Sequence, residues 1–335
     1  MKNVRVGIIG AGLIGRKRAA AIQTSGMGQL VAVADVNLAK ASALANQYHC
    51  LVYKDWRELL RDKDIDAVIV AVPIGFTVPI TIEALKRGKH VLCEKPLGRN
   101  AAEAKKALDA ARRYKRVMKV GFNHRFHAGI AMAKKIYDEG KIGKLMFIRA
   151  RYGYGGRYGM EKEWRMNKKI SGGGELLDQG VHIIDLARWF GGEPENVYGL
   201  TQTKFWKTNV DDNAFVIMFN NNVTTAFQVS ATNWKNIFSF EIFGDGGYLE
   251  INGKGGSYGE ETLIFGRRKK KFGVPVIKTF RFQGDVSWVK EWHNFLRAVA
   301  GREKVNGDAL DGYRANLVVD AIYQSSKLRR VIKVS

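Results

Sequence analysis

The 335-residue sequence is short of cysteine and proline and has no long apolar run. Its two cysteines, Cys50 and Cys93, show no metal-ligand spacing, which favours buried thiols in a reducing compartment over a disulfide. No stretch reaches the roughly 18 apolar residues that a membrane span requires. The N-terminal segment lacks the apolar core and cleavage site of a signal peptide. We therefore expect a cytoplasmic protein.

Acidic residues are also scarce, because 32 Asp and Glu stand against 55 Lys and Arg and leave a net charge of +23. This excess favours anionic partners such as nucleic acid, an acidic surface or a phosphorylated substrate. The only dense basic run, 267–271, lies between two apolar stretches that we predict to pair as strands. A solvated hairpin tip explains it most simply; a contact with an anionic ligand or a neighbouring subunit is the alternative. Nucleic-acid binding is not expected, since no helix-turn-helix, zinc or aromatic RNA-binding signature is present.

The pattern of apolar segments predicts two domains, a Rossmann domain over 1–122 and an α+β domain over 123–335. In the first, short apolar runs alternate with helical spacing, which is typical of a doubly wound parallel sheet. In the second, strands follow one another without helices, which is typical of a large, open, mainly antiparallel sheet. The predicted strands cover 4–9, 30–34, 67–71, 90–93 and 117–120, then 197–204, 214–219, 224–233, 238–243, 248–251, 262–265, 276–282 and 331–334.

A G-x-G-x-x-G pattern follows the first predicted strand and opens a helix, which is the context that dinucleotide binding requires. Its glycines permit a tight turn, close approach of the backbone to a pyrophosphate, and close helix packing. The residues of this predicted phosphate site are Gly10, Ala11, Gly12, Leu13, Ile14 and Gly15. Asp35 ends the second strand, where its carboxylate can bind the adenosine ribose and repel a 2′-phosphate. The predicted cofactor is therefore NAD in preference to NADP.

Two further motifs carry candidate catalytic groups. Glu94-Lys95-Pro96 follows the fourth predicted strand at the carboxyl edge of the sheet, where open α/β sheets bind ligands. Lys95 there can hydrogen-bond a substrate hydroxyl and favour loss of its proton. Asp178 and His182 are four residues apart on a helix predicted over 176–189, so they share a face. The glycines 172–174 precede this helix. His182 can accept the hydroxyl proton as hydride leaves, and Asp178 can orient the substrate or the imidazole.

These motifs together resemble those of the glucose-fructose oxidoreductase / inositol dehydrogenase / MocA family, across essentially the whole chain. The quoted matches are the glycine pattern, Asp35, the stretch 88–96, Gly121-Phe122-Asn123 and G-G-G-x-L-x-D-x-G-x-H over 172–182. The resemblance implies that Lys95 is the catalytic lysine, His182 the general base and Asp178 a substrate ligand. It also implies a Rossmann domain joined to a sheet domain whose open face forms a homodimer or homotetramer. No metal is expected, because no third ligand sits at useful spacing.

The resemblance extends to further site residues. It implies that Asn123 lines the nicotinamide pocket and that Trp164 and Arg165 lie beside the cofactor. The chain departs from the family at 72–77, where Val72-Pro73-Ile74-Gly75-Phe76-Thr77 stands in place of T-P-N-x-x-H. We expect a more apolar wall there, with Glu94 and the backbone of Val72 and Pro73 still contributing to cofactor binding.

The expected function is oxidation of a hydroxyl of a sugar, polyol or sugar derivative by hydride transfer to NAD. The stretches 154–159 and 161–165 also resemble family members of surface-polysaccharide biosynthesis, which implies a nucleotide sugar as an alternative substrate. In that case Arg125, Arg151 or Arg157 would clamp a diphosphate and Tyr154 would contact the sugar. A non-catalytic NAD-binding regulator is a further alternative, disfavoured because both Lys95 and His182 are present.

Overall fold

A computed structural model describes residues 4–335. By its internal contacts the chain forms two compact units. The first contains the residues up to Asn123 together with Ser287–Asn316, and the second contains His124–Val286 together with Leu317–Ser335. The sequence analysis placed 287–316 with the second domain, and the structure differs there. The physical reason is apolar burial, since Trp292 and Phe295 pack into the core beneath the first unit's sheet.

The first unit has a six-stranded parallel sheet in the order β3-β2-β1-β4-β5-β6, which confirms the doubly wound fold. Its strands are β1 (Arg5–Ile9), β2 (Gln29–Ala34), β3 (Leu51–Tyr53), β4 (Ala67–Val70), β5 (His90–Cys93) and β6 (Met118–Val120). The connecting helices are α1 (Leu13–Ser25), α2 (Leu38–Tyr48), α3 (Trp56–Arg61), α4 (Ile74–Lys86) and α5 (Ala101–Tyr114). The sequence analysis missed β3, a three-residue edge strand whose Leu51 and Val52 are exposed.

The strand order reverses between β1 and β4, so the carboxyl edge of the sheet opens there. The glycine turn follows β1, and Asp35 follows β2. Lys95 and Asn123 follow β5 and β6 at the same edge. The strands of this fold thus bring the predicted cofactor residues of the first unit to one side.

The second unit is built on a nine-stranded sheet in the order β14-β13-β12-β11-β7-β10-β9-β8-β15. Its elements begin with α6 (Ala128–Asp138), β7 (Leu145–Gly153), α7 (Lys168–Ser171), α8 (Val181–Gly191), β8 (Asn196–Gln202), β9 (Asn213–Phe219) and β10 (Thr224–Ser230). They continue with β11 (Ile237–Gly244), β12 (Gly247–Asn252), β13 (Glu261–Arg267), β14 (Val276–Phe282) and β15 (Ile332–Lys333). Only β7 and β10 pair in parallel, so the prediction of a mainly antiparallel sheet is confirmed.

The remaining helices are α9 (Ser287–Val299) and α10 (Ala309–Leu328). Short 3₁₀ helices cover Asn123–Phe126, Met160–Lys162, Trp164–Met166 and Gly256–Tyr258, and a π-helix covers Leu176–Gly180. The central strand β7 was not predicted from the sequence. Along it, buried Ile148 and Ala150 alternate with exposed Arg149 and Arg151, so it is a one-face strand whose outer positions are cationic. Within residues 4–335, no helix has both the length and the apolar character needed to cross a bilayer.

Candidate active site

The glycine turn after β1 has the geometry of a dinucleotide site. Gly10 has φ +104°, and a Cβ there would overlap the carbonyl oxygen of Ala71. A Cβ at Gly15 would overlap the carbonyl oxygen of Gly10, so this glycine lets α1 pack against the turn. At Gly12, in contrast, a Cβ would meet nothing within 4 Å. The open space lies at the N-cap of α1, which has no side-chain cap, so a pyrophosphate fits against free N–H groups there.

Asp35 is tied to this turn. Its Oδ2 accepts a hydrogen bond from the backbone N–H of Ala11 at 2.7 Å, and its Oδ1 accepts one from Asn37 at 2.8 Å. These two bonds fix the carboxylate at the end of β2, beside the phosphate-binding turn. A 2′-phosphate at this position would be repelled, which agrees with a preference for NAD.

The turn that carries Lys95 is supported by a buried ion network that sequence reasoning missed. The guanidinium of Arg18, 1% exposed, donates to Glu94 at 2.6 Å and to Glu291 at 2.5 Å. It also lies over the ring of Trp288, 4.6 Å from the centroid. Burial lowers the pKa of Arg18, but Glu291 and Glu94 more than offset this, so the net shift is upward. Arg18 therefore stays charged and holds Glu94 directly before Lys95.

This network also explains the glycine that follows β6. A Cβ at Gly121 would lie 2.8 Å from Glu94 Oε2 and 2.9 Å from Arg18 Nη2. The peptide between Lys95 and Pro96 is cis. The carboxylate of Glu94 is engaged within the protein, so its structural role is to position the turn. Its assignment as a cofactor contact stays a prediction.

The residues that depart from the family pattern lie partly inside the protein, and the apolar wall expected there stays a prediction. Ile74 and Thr77 are both buried, and Pro73 is the N-cap of α4. The exposed side chain of this turn is Phe76. Val72 and Pro73 are half-buried after β4, beside the glycine turn, where Val72 would contact a Cβ at Gly10. The departure at Ile74 and Thr77 therefore alters packing inside the protein.

Asn123 is the last candidate site residue of the first unit, and it follows β6. Its side-chain amide donates a hydrogen bond to Ser287 Oγ at 3.0 Å, and the residue is buried. Ser287 is the first residue of α9, so this bond joins α9 to the carboxyl edge of the sheet. The predicted contact of Asn123 with a nicotinamide stays a prediction.

In the second unit, the glycines 172–174 are needed for contacts within the protein. A Cβ at Gly173 would overlap the hydroxyl of Tyr323, and one at Gly174 would overlap the backbone of Asp211. The carboxylate of Asp211 accepts hydrogen bonds from Gly174 N at 3.0 Å and Leu176 N at 2.8 Å. Tyr323 donates to the same carboxylate at 2.7 Å. Tyr323 and Asp211 therefore fill the space beside Gly173 and Gly174.

Asp178 and His182 lie where two kinds of helix join. The segment Leu176–Gly180 is a π-helix, and α8 starts at Val181, so the predicted regular helix over 176–189 is wrong in its first turn. Single π turns recur at functional sites, where they change the direction of the side chains that follow. Asp178 is partly exposed and His182 is 4% exposed. Gly180 packs near Leu176 and Val229.

A chain of charges connects Asp178 to the loop that follows β7. Arg165 Nε lies 3.3 Å from Asp178 Oδ2, and Arg165 Nη1 lies 3.7 Å from Glu163. Glu163 in turn accepts two hydrogen bonds from Arg157, at 2.7 and 2.5 Å. The guanidinium of Arg165 also lies over the ring of Trp164, 4.6 Å from its centroid. Trp164 and Arg165 thus lie beside a candidate substrate ligand within this unit; their predicted contact with the cofactor stays a prediction.

Of the three arginines expected to form an anion clamp, Arg125 and Arg157 are paired within the protein and Arg151 is exposed on β7. Arg125 is buried and makes a bidentate ion pair with Asp185, at 2.8 and 2.6 Å. Arg157 is occupied by Glu163. Tyr154 donates its hydroxyl to Glu175 at 2.9 Å, and burial, followed by the nearby Glu175 and Asp178, raises its pKa. Asp185 is thus engaged by Arg125.

Residues 4–335 contain neither a cluster of metal ligands nor a disulfide. No group of three or more His, Cys, Asp or Glu side chains in that range is arranged to hold a metal ion. Cys50 and Cys93 are free thiols, and burial raises their pKa values to about 11 and about 12. These thiols are therefore protonated at neutral pH and poor nucleophiles.

The chain matches two family models. Residues 4–122 match the model described as an oxidoreductase family with an NAD-binding Rossmann fold. Residues 130–250 match the model of the GFO/IDH/MocA C-terminal domain. Together the two matches cover more than half of the chain.

Curated relatives and solved structures extend the likeness to almost the full length. The chain is 27% identical to a levoglucosan dehydrogenase of Pseudarthrobacter phenanthrenivorans, over 97% of each protein. It is 26% identical to an inositol 2-dehydrogenase of Salmonella typhimurium, over 97% of this chain and 94% of that protein. A structure of levoglucosan dehydrogenase with NADH and levoglucosan superposes with a TM-score of 0.91 at 27% identity, covering 99% of this chain and 100% of the other.

Proposed function

The chain belongs to the GFO/IDH/MocA oxidoreductase family, and on that premise we propose that it transfers hydride reversibly between NAD and a ring hydroxyl carbon of a sugar or polyol. It is a dehydrogenase that acts on CH–OH groups, and NAD is its cofactor. The observation that carries the proposal is the glycine turn, because Gly12 leaves open space at a free helix N-terminus and Asp35 is bonded to the same turn. NAD supplies the hydride acceptor when bound.

The protein's own groups then handle the proton. We propose that Lys95 donates a hydrogen bond to the reacting hydroxyl and favours its ionisation, while His182 accepts the proton as the C–H bond breaks. The products are the carbonyl compound, the reduced cofactor and a protonated imidazole, so atoms and charge balance. Asp178, held by Arg165, binds a neighbouring hydroxyl of the ring and fixes which carbon reacts.

The substrate class follows the names of the relatives, which act on levoglucosan and inositol. A ring with several adjacent hydroxyls suits the polar set of Asp178, His182 and Arg165. The nucleotide-sugar alternative is not better supported, because buried Arg125 is already paired with Asp185. The cytoplasmic location stays a prediction.

The test is a comparison of Lys95→Met and His182→Asn with His49→Asn, an exposed histidine in a left-handed turn where Asn is well tolerated. We expect the first two variants to lose at least about 100-fold in kcat on levoglucosan, inositol or glucose, since general acid–base groups contribute about 10²–10⁴-fold. NADH binding, measured by fluorescence, stays within threefold in all three. Normal turnover in both Lys95→Met and His182→Asn would overturn the assigned roles.

We also propose that the open face of the nine-stranded sheet joins two copies of the chain. Tyr198, Phe215 and Ile217 are 41%, 48% and 46% exposed, and they lie on adjacent strands, where Tyr198 pairs with Ile217. Exposed apolar side chains that are contiguous on one sheet face mark interaction surfaces. A second copy is the occupant we commit to, since the face also carries paired charges such as Arg149 and Glu241, which suit a symmetric polar rim.

Light scattering after gel filtration tests this proposal. The double variant Phe215→Glu/Ile217→Glu is expected to halve the mass of the native species, or to reduce a tetramer to a dimer. Phe272→Glu, in the exposed loop between β13 and β14, is the matched control and leaves the mass unchanged. A monomeric native protein, or an unchanged oligomer in the double variant, would contradict the proposal.

A further inference from the structure

A second histidine lies against His182, and no role was assigned to it from the sequence. The ring centroids of His124 and His182 are 3.7 Å apart, and their planes differ by only 21°. Both side chains are buried, at 3% and 4% exposure. One flat face of the His182 imidazole is therefore covered by another imidazole.

His124 is itself fixed by aromatic side chains from two strands and by a nearby histidine. Its ring lies 5.4 Å from His127, edge-on, and 5.4 Å from Tyr152 of β7. Phe238 of β11 packs against it edge-on at 5.7 Å. His127 is anchored in turn near Glu261, with Nδ1 and Oε2 3.4 Å apart. Such packing holds a ring in one orientation, because rotation would require several buried neighbours to move.

The position of His182 makes this support important. It is the second residue of α8, directly after the π turn, where the backbone leaves regular helical geometry. A general base must keep one ring nitrogen directed at its proton, and an error of about 1 Å can cost about 100-fold in rate. Stacking blocks tilting and turning of the imidazole, because it acts on the flat face of the ring and not on the two nitrogens at its edge.

We infer that His124 is a positioning residue. The flat face of its ring holds the ring of His182 in the orientation needed for proton transfer, and His124 contributes no proton of its own. The inference rests on the proposed function, because it assumes that His182 is the base. It predicts that a flat, non-titrating ring at 124 serves as well as histidine. A side chain of similar bulk that is not flat does not.

The test pairs His124→Phe with His124→Leu, which both fill the buried space, and uses His49→Asn as the surface control. The first measurement needs no substrate. In protein labelled with ¹³C and ¹⁵N at its six histidines, His182 is assigned from the His182→Asn spectrum. Its ring protons are expected to be shifted upfield by the stacked ring in the native protein and in His124→Phe, and to lose that shift in His124→Leu. No upfield shift in the native protein would overturn the stacking.

The second measurement is steady-state kinetics with the best sugar substrate. His124→Leu is expected to lose about 10- to 100-fold in kcat, in line with misplacement of a catalytic group. Its KM and its NADH affinity should stay within threefold. His124→Phe should keep kcat within threefold of the native protein, with the same pH profile.

The outcomes separate the two proposals. An equal loss of kcat in His124→Phe and His124→Leu, or no loss in either, overturns the positioning role. A rise in KM with unchanged kcat in His124→Leu also overturns it, since that result indicates substrate binding by His124. If no sugar is turned over by the native protein while the upfield shift is present, the proposed function fails and the stacking stands.

Discussion

The two units use glycine-rich segments for opposite purposes. In the first unit, Gly12 faces open space, while Gly10 and Gly15 shape the turn around it. In the second unit, Gly173 and Gly174 face no open space, because Tyr323 and Asp211 occupy the positions that Cβ atoms would take. The same residue type therefore leaves open space in one unit and makes room for the protein itself in the other. A glycine pattern alone does not distinguish these uses.

The units also differ in how they support their candidate catalytic residues. Ahead of Lys95, the support is ionic, since buried Arg18 binds Glu94 and Glu291. Ahead of Asp178, the support is a cap, since Asp211 accepts hydrogen bonds from Gly174 and Leu176. Both supports involve residues distant in sequence, and both are open to substitution.

The largest effect is expected from Arg18→Met. Removing the guanidinium leaves Glu94 and Glu291 without their cation, and breaking a buried ion pair costs about 3–5 kcal/mol. Burial already raises the pKa of Glu291, despite the opposing charge of Arg18, so this carboxyl is expected to take up a proton in the variant. Urea unfolding measures the loss. Lys17→Met, which removes a neighbouring exposed cation that also lies over Trp288, is the control and should change stability by less than about 0.5 kcal/mol.

Gly174→Ala is expected to be the next most damaging change. The added methyl group collides with the backbone of Asp211, which cannot move without breaking the cap of the π turn. We expect a loss of about 3 kcal/mol, typical of strain at a tightly packed backbone position. Because the collision lies in the second unit, NADH affinity of the folded fraction should stay unchanged. A native-like melting temperature would show that these glycines are not required for packing.

Much of the first unit could be predicted because its signals are local. A few adjacent residues are enough to recognise each of them: the apolar strands, the glycine turn, the acidic residue that ends the second strand, and Glu94-Lys95-Pro96. The contacts that the sequence did not reveal join distant segments, as when Arg18 meets Glu291 or Asp211 meets Gly174. Short-range periodicity carries no information on such pairs.

The errors in the second unit have the same origin. The strand β7 was missed because its outer positions carry Arg149 and Arg151, and its neighbours β10 and β11 follow much later in the chain. The π turn at 176–180 was predicted as a regular helix, since Asp178 and His182 fit either period. His124 was overlooked because its stacking partner lies 58 positions away.

Gly12→Ala sharpens the contrast between the two glycine segments. Apart from its immediate chain neighbours, no atom of the described residues lies within 4 Å of the new methyl group, so the melting temperature should match that of the native protein within about 2 °C. The methyl group would occupy the space assigned to the pyrophosphate, and we expect the Kd for NADH to rise at least about tenfold, or about 1.4 kcal/mol. Fluorescence titration with NADH measures this. Unchanged affinity would remove the distinction between ligand space and packing space.

The smallest expected effect concerns Asp211 and Asp212, two neighbouring carboxyls whose pKa values shift in opposite directions. Burial raises the pKa of Asp211 above its usual value despite its hydrogen bonds. Burial also opposes ionisation of Asp212, but hydrogen bonds from the backbone of Phe205, Lys204 and Trp206 and the side chain of Asn213 reverse this and lower its pKa.

Asp212 therefore stabilises the fold at pH values above the unfolded pKa, about 3.9, and this contribution disappears as the pH falls through its lower folded value. Asp212→Asn should lose about 1 kcal/mol at pH 7, the scale of one ordinary hydrogen bond, because Asn keeps an acceptor oxygen but not the charge. It should lose less stability than the native protein on acidification from pH 5 to 3. Asp138→Asn, on the exposed face of α6, should keep the native acid dependence. Urea unfolding measures the free energy of unfolding of each protein across this pH range. If it falls equally in the native protein and in Asp212→Asn, the N–H groups at 204–206 hold Asp212 without favouring its charged form.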